Sequence, residues 1–288
     1  MPYNRKATNY KEQINILKQR GLTIHDDRAA ELMLKAIGYF RFKGYCLTSY
    51  GPIKEAFRPG ITIDQIYQIY QFDSDIRALT MKACQRAEVR FKSIMGMELA
   101  LKYGPVLPKM AFYEANSFIE WKKRTKKAHD QGSARSEMYV HNYRDNYHEW
   151  PIWVDLELST LGNTSMLYSW LNTDMKKIIA KRYGKIRFTY VENWAHILTV
   201  VRNTCAHNSR FYGRLLPLGV LVPTKYIGYF GQNTYFSIIF ILSRMLEPKD
   251  FASYLYGLHA ISTKYGKEVE WQQLGSQTNW YDYCLKMF

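Results

Sequence analysis

The stretch Trp194-Ala195-His196-Ile197-Leu198-Thr199-Val200-Val201-Arg202-Asn203-Thr204-Cys205-Ala206-His207 decides how this chain is read. At about 100° per residue, Trp194, Ile197, Leu198, Val201 and Cys205 fall on one apolar arc, while Asn203, His207, Arg210 and Arg214 fall on the opposite side. The segment is therefore predicted to be an amphipathic helix with one face in a core and a polar, cationic face outside. Arg202 projects from the flank, roughly 140° from His207 on the same helical wheel. An always-charged guanidinium and a titratable imidazole together suit phosphodiester chemistry without a metal. His moves protons near neutral pH, and Arg holds a phosphate that gains charge in the transition state. The other reading is a polar helix face whose charges meet water. Because one ideal helix does not aim Arg202 and His207 at one point, a working site needs a loosened helix, an Arg that reaches around, or residues from two copies of the motif.

Outward from that segment the pattern is mostly helical. Towards the N-terminus, Ile14, Leu17 and Lys18 open a short amphipathic helix that stops at Gly21, and Asp26 or Asp27 caps a second over residues 28–37, closed by Gly38. Tyr39-Phe40-Arg41-Phe42-Lys43-Gly44-Tyr45 then alternates rings with cations: an aromatic anchor packed on the bundle, or a base-stacking strip. Thr62 or Asp64 starts a long helix whose stripe runs from Ile66 through Phe91 towards Leu101 and ends at Gly104-Pro105. Its Arg77, Arg86, Arg90 and Lys92 mix with Asp73, Asp75 and Glu88, which reads as a solvated flank with no catalytic role for Glu88.

Lys122-Lys123-Arg124-Thr125-Lys126-Lys127 is a dense basic run at an exposed helix end, followed by a loop at Gln131-Gly132-Ser133-Ala134 and a Tyr- and His-rich helix. The cations Lys122, Lys123, Arg124, Lys126 and Lys127 either track a phosphate backbone or solubilise the surface. Two short buried helices over 154–161 and 166–171 and a basic amphipathic turn over 176–183 lead into the key segment. Beyond it, residues 218–222 and 226–230 form a small hairpin or an apolar loop, and 234–245 and 250–265 return to helical periodicity. The fold class is all-α. The expected division is an N-terminal helical hairpin with its aromatic and basic linker over 1–60, packed on a helical domain over 61–288.

Composition limits the function classes. With 288 residues, 47% hydrophobic content and a formal net charge of +15, the chain can bury a core and attract a polyanion such as nucleic acid or an acidic surface. Cys46, Cys84, Cys205 and Cys284 form no C-x-x-C pair, which argues against a zinc ribbon or redox dithiol and suits a reducing cytoplasm. His141 and His148 find no third ligand at metal spacing, so no metal is expected. The start, Met-Pro-Tyr-Asn-Arg-Lys, lacks the apolar run of a signal peptide, and the longest apolar stretch, around residues 235–242, is too short to span a bilayer. No membrane association is expected. A Gly-rich phosphate loop and a suitably spaced carboxylate pair are absent, which places a nucleotide-transferring enzyme last among the readings.

The motif extended to Asn208-Ser209-Arg210 resembles the signature of Abi-like proteins, the AbiD/AbiF group of abortive-infection systems, and its R-N-x-x-x-H core is similar to that of the HEPN ribonuclease superfamily. Other segments resemble the family in the same order: Ile37-Gly38-Tyr39-Phe40-Arg41-Phe42-Lys43-Gly44-Tyr45, Phe72-Asp73-Ser74-Asp75-Ile76-Arg77, Glu88-Val89-Arg90, and Pro151-Ile152-Trp153 leading to Leu161-Gly162. The resemblance covers about residues 30–214. It implies a HEPN-type helical bundle, here with the N-terminal hairpin and additional C-terminal helices, and a metal-independent endoribonuclease without cofactor that acts as a toxin in anti-phage defence. Carried over, Arg202 and His207 are the catalytic pair and Asn203 their polar neighbour. Arg210 and Arg214 are candidate RNA contacts, with the basic run beside them. The implied partners are an RNA substrate, a structured non-coding RNA antitoxin, and a second copy of the chain, since HEPN sites combine two motifs and this sequence holds one. The alternative is a non-cutting RNA-binding protein that uses the same basic cleft.

Overall fold

The computed structural model describes residues 6–134, 138–228, 231, 233–266, 268–276 and 279–286. The Met1 to Arg5 part of the leader expectation, and Tyr229 and Phe230 of the expected second strand, lie outside them. Helix α1 (Tyr10–Gln19) starts at a capping box, in which the Asn9 side chain accepts from the Glu12 amide and Glu12 returns to the Asn9 amide. Helix α2 (Asp27–Ile37) is capped by Asp26, which accepts from the amides of Arg28 and Ala29, and it packs on α1 as the expected hairpin. Gly38, at a φ of 79°, ends α2 and turns directly into α3 (Tyr39–Cys46).

The expected linker is thus a helix. Phe42, Tyr45 and Cys46, spaced i, i+3 and i+4, are buried against the long helix that follows, and this apolar stripe outweighs Gly44 in the middle of the segment.

The spine is α4 (Ile63–Tyr103), 41 residues and about 60 Å long. Thr62 and Gln65 form its capping box, and Gly104 at a φ of 86° stops it. Around it pack α7 (Ile152–Leu158), α9 (Thr173–Lys181), α10 (Phe188–Ala206), α11 (Tyr235–Met245) and α12 (Pro248–Tyr265), with α3 near its start. Helix α8 (Leu161–Trp170) lies on α10, while α5 (Ala115–Ala134) contacts α6 (Met138–Asn146), α7 and α8. A last helix, α13 (Trp280–Lys286), seats Trp280 against Trp271 and Phe236. Buried side chains from Ile14 to Cys284 form one continuous core, all-α in class, and no strand occurs among the described residues.

Three local expectations change. Gln131 to Ala134 are the last turn of α5 and not a loop: Gly132 is buried, and a Cβ there would lie 3.0 Å from Leu158 and 3.1 Å from Val140, so the glycine permits close packing. Residues 218–222 run as irregular chain over α10, where the Asn193 amide donates to the Gly219 carbonyl, its oxygen accepts from the Leu221 amide, and the Trp194 indole donates to the Leu221 carbonyl at 2.7 Å. Finally, α11 is buried on all sides, which explains its unbroken apolar stretch as core. No described helix is long and apolar enough to cross a membrane.

Candidate active site

The motif forms the last turn of α10. Trp194, Ile197, Leu198, Val201 and Cys205 are buried as the helical wheel requires, and Asn203 and His207 face solvent. His207 is the C-cap, its amide donating to the Asn203 carbonyl at 2.9 Å. The chain then turns sharply through Asn208, at a φ of 53°, a conformation that Asn tolerates better than most residues. Arg202 is half-buried on the flank facing α4, and its Nη1 donates to Asn203 Oδ1 at 3.3 Å. The two neighbouring side chains are therefore joined.

His207 opens into a groove of about 340 Å³ between the end of α10 and the start of α3. Its lining includes Phe40, Arg41, Tyr45, His207, Arg210 and Arg214, with three guanidiniums and no carboxylate. Arg41 donates to the Asn208 carbonyl and so ties α3 to the motif's C-terminal turn. Arg210 is half-buried over the Tyr45 ring at 5.8 Å; its Nη1 is buried and has no protein partner, and burial pulls its guanidinium below the usual value. Arg214 is exposed.

Beneath the groove sits a cluster that the sequence suggested would be solvated. Asp73 and Arg77, one turn apart on α4, are buried and ion-paired. Tyr45 donates to Asp73 Oδ2 at 2.7 Å, and Arg77 donates to the Tyr45 oxygen at 3.0 Å. The other carboxylate oxygen accepts from the amides of Phe211 at 3.0 Å and Tyr212 at 2.9 Å. One carboxylate thus fastens α3, α4 and the segment just after the motif to each other. Burial pushes the Asp73 carboxyl above its usual range, while Arg77, Tyr45 and the two amides pull the other way. The rest of the mixed flank is also paired: Glu88 with Lys92, Arg86 with Asp250, and Arg90 with Glu247 at the start of α12. Asp73 and Arg77 were visible as an i, i+4 pair; what hid their role is that the burying segment lies 138 residues further on.

His207, Arg210 and Arg214 therefore come together with Arg41 and Phe40, whereas Arg202 and Asn203 are not in the groove's lining. The basic run belongs to α5, on another part of the bundle. Arg124 pairs with Glu120 and Asn163, Lys122 lies 3.7 Å from Glu149, and Lys123, Lys126 and Lys127 are exposed. No group of His, Cys, Asp and Glu suited to a metal ion occurs among the described residues. His129 instead pairs with Asp155 at 2.6 Å and stacks on Trp150.

No curated protein and no solved structure matches this chain. A family model for Abi-like proteins does match, over residues 32–213, a span that takes in α3, the Asp73 cluster and the motif at the end of α10. As this span exceeds half of the 288 residues, the chain belongs to the Abi-like protein family.

Proposed function

We propose that this protein is a metal-independent endoribonuclease of the HEPN type that acts as an abortive-infection effector. The observation that carries the reading is an exposed His207 at the mouth of a groove lined by three arginines and no acid, with Arg202 held to Asn203 one turn earlier. In the reaction, the ribose 2′-oxygen attacks the adjacent phosphorus and the bond to the 5′-oxygen breaks. His207 takes the 2′-hydroxyl proton and returns a proton to the leaving oxygen, and Arg202 neutralises the phosphorane charge. The products are a 2′,3′-cyclic phosphate and a 5′-hydroxyl, and DNA, which lacks the attacking group, is left intact. Because Arg202 and His207 diverge by roughly 140° around α10, a two-fold homodimer supplies the arginine of one copy to the histidine of the other. A structured RNA serves as the restraining partner.

The test is cleavage of single-stranded RNA by the purified protein in EDTA. The expected result is cyclic-phosphate ends and a loss of about 100-fold or more in Arg202→Ala and His207→Ala. Wild-type protein that leaves RNA intact, or variants that cut at the wild-type rate, would refute the assignment. The placement of Arg202 outside the groove favours one second reading, an RNA-binding protein that does not cut. It predicts tight RNA binding by wild type with no cleavage in that assay.

A further inference from the structure

The seven residues from Tyr39 to Tyr45 divide into two jobs. Phe42 and Tyr45 are anchors, fully enclosed in the core, but Phe40 keeps 92% of its surface exposed. Single exposed apolar residues are common on proteins and need no explanation by themselves. Phe40, however, lines the same groove as His207 and the guanidiniums of Arg41, Arg210 and Arg214. Arg210 adds the second observation. Its guanidinium lies over the Tyr45 ring, and its Nη1 is enclosed and lacks a protein acceptor. An enclosed N–H without a partner is destabilising, and a phosphate oxygen is the acceptor a guanidinium fits best. Gly44 lies beside it and lines the same groove.

An anion pocket with a free ring at its edge matches one repeating unit, a phosphate followed by an unpaired base. We propose that Phe40 is a stacking platform for an unpaired nucleobase next to the phosphate held by Arg210, making the groove selective for single-stranded over duplex RNA. The inference rests on reading the groove as an RNA site, but does not require that the RNA be cut. A base inside a duplex is covered on both faces by its neighbours and cannot lie on the ring, whereas a splayed base can.

The experiment uses the full chain carrying His207→Ala, so that RNA survives the measurement, and a short fluorescein-labelled single-stranded RNA alone or annealed to its complement. Fluorescence anisotropy is expected to show that Phe40→Ala weakens single-strand binding roughly tenfold, that Phe40→Trp retains it, and that duplex binding is unchanged by either. Arg210→Gln is expected to weaken both and to lower the salt slope by about one. With His207 restored, Phe40→Ala raises KM and leaves kcat, the signature of a contact made equally in the ground and transition states. The thermal midpoint serves as the folding control and stays put, because the ring contacts solvent. The proposal is overturned if Phe40→Ala binds single strands as tightly as its parent, or if duplex binding falls equally. It is also overturned if the substitution only shifts sedimentation from dimer to monomer, which would assign the ring to a protein contact. Wild-type protein that never cuts, combined with a single-strand defect in Phe40→Ala, would remove the nuclease reading and keep this one.

Discussion

Asp73→Asn is the most informative single change to the scaffold. The new amide keeps an oxygen that can accept from the Phe211 and Tyr212 amides, but it removes the charge facing Arg77, whose side chain is 4% exposed. Breaking a buried pair from one side costs about 3–5 kcal/mol, because the remaining charge is left unmatched out of water. Arg77 already has one enclosed nitrogen, Nε, without a partner, so it has little else to turn to. In a chain of this size each kcal/mol moves the thermal midpoint by about 2–4 °C, giving an expected drop on the order of 10 °C. Urea unfolding followed by far-UV circular dichroism measures the free energy directly. Asp73→Asn combined with Arg77→Met is expected to recover about half of the loss, since the second substitution removes the stranded charge. Phe211 follows Arg210 directly, so RNA affinity should fall in the single variant as the groove wall loosens. A loss below about 1 kcal/mol, within the range of an ordinary surface substitution, or a double variant no more stable than the single, would refute the claim that this pair locks the motif to α4.

Other consequences are also measurable. Thr62→Ala removes the acceptor for the Gln65 amide, 3.2 Å away, and should lower stability by about 1 kcal/mol in the same urea titration. Burial pushes Cys46 and Cys205 from 9.0 up to about 12, and Tyr50 and Tyr212 from 10.0 up to about 12. The unfolded chain therefore ionises first, so the stabilisation is complete below pH 9 and disappears as pH climbs towards 12. The thermal midpoint should be flat near neutrality and fall above pH 9, and a level profile to pH 11 would contradict that burial. Lys123, Lys126 and Lys127 replaced together by Ala should leave the thermal midpoint within about 0.5 kcal/mol equivalent of wild type and reduce the salt slope of RNA binding, by about one for each phosphate these lysines had neutralised. An unchanged slope would leave the run as a solubilising face.

Where local chemistry decided the outcome, the sequence was readable. Thr62 and Gly104 bounded α4, Asp26 and Gly38 bounded α2, and the apolar arc of α10 turned inward as its spacing required. Reading failed where a distant segment overrode a local rule. The alternation of rings and cations around Phe42 concealed an i, i+3, i+4 stripe, and Gly132 looked flexible because Leu158 and Val140, which close on it, are remote in sequence. The site divides the same way. Arg202, Asn203, His207, Arg210 and Arg214 were visible as a motif and its downstream cations, but Arg41 and Phe40 join it only because α3 docks on the turn at Asn208.

The length of α4 also has a consequence in time. Its apolar stripe is covered by α12, and Thr80 near its middle reaches the hydroxyl of Tyr235, which in turn bonds to that of Tyr254. During synthesis, α4 is complete at Tyr103, yet its covering helix ends at Tyr265, a further stretch of chain that takes roughly 8–30 s to make at ordinary elongation rates. The Asp73 anchor likewise waits for Phe211 and Tyr212. A nascent copy therefore spends that interval with the α12-facing stripe of its spine uncovered, and its groove cannot close before Arg214 has been made.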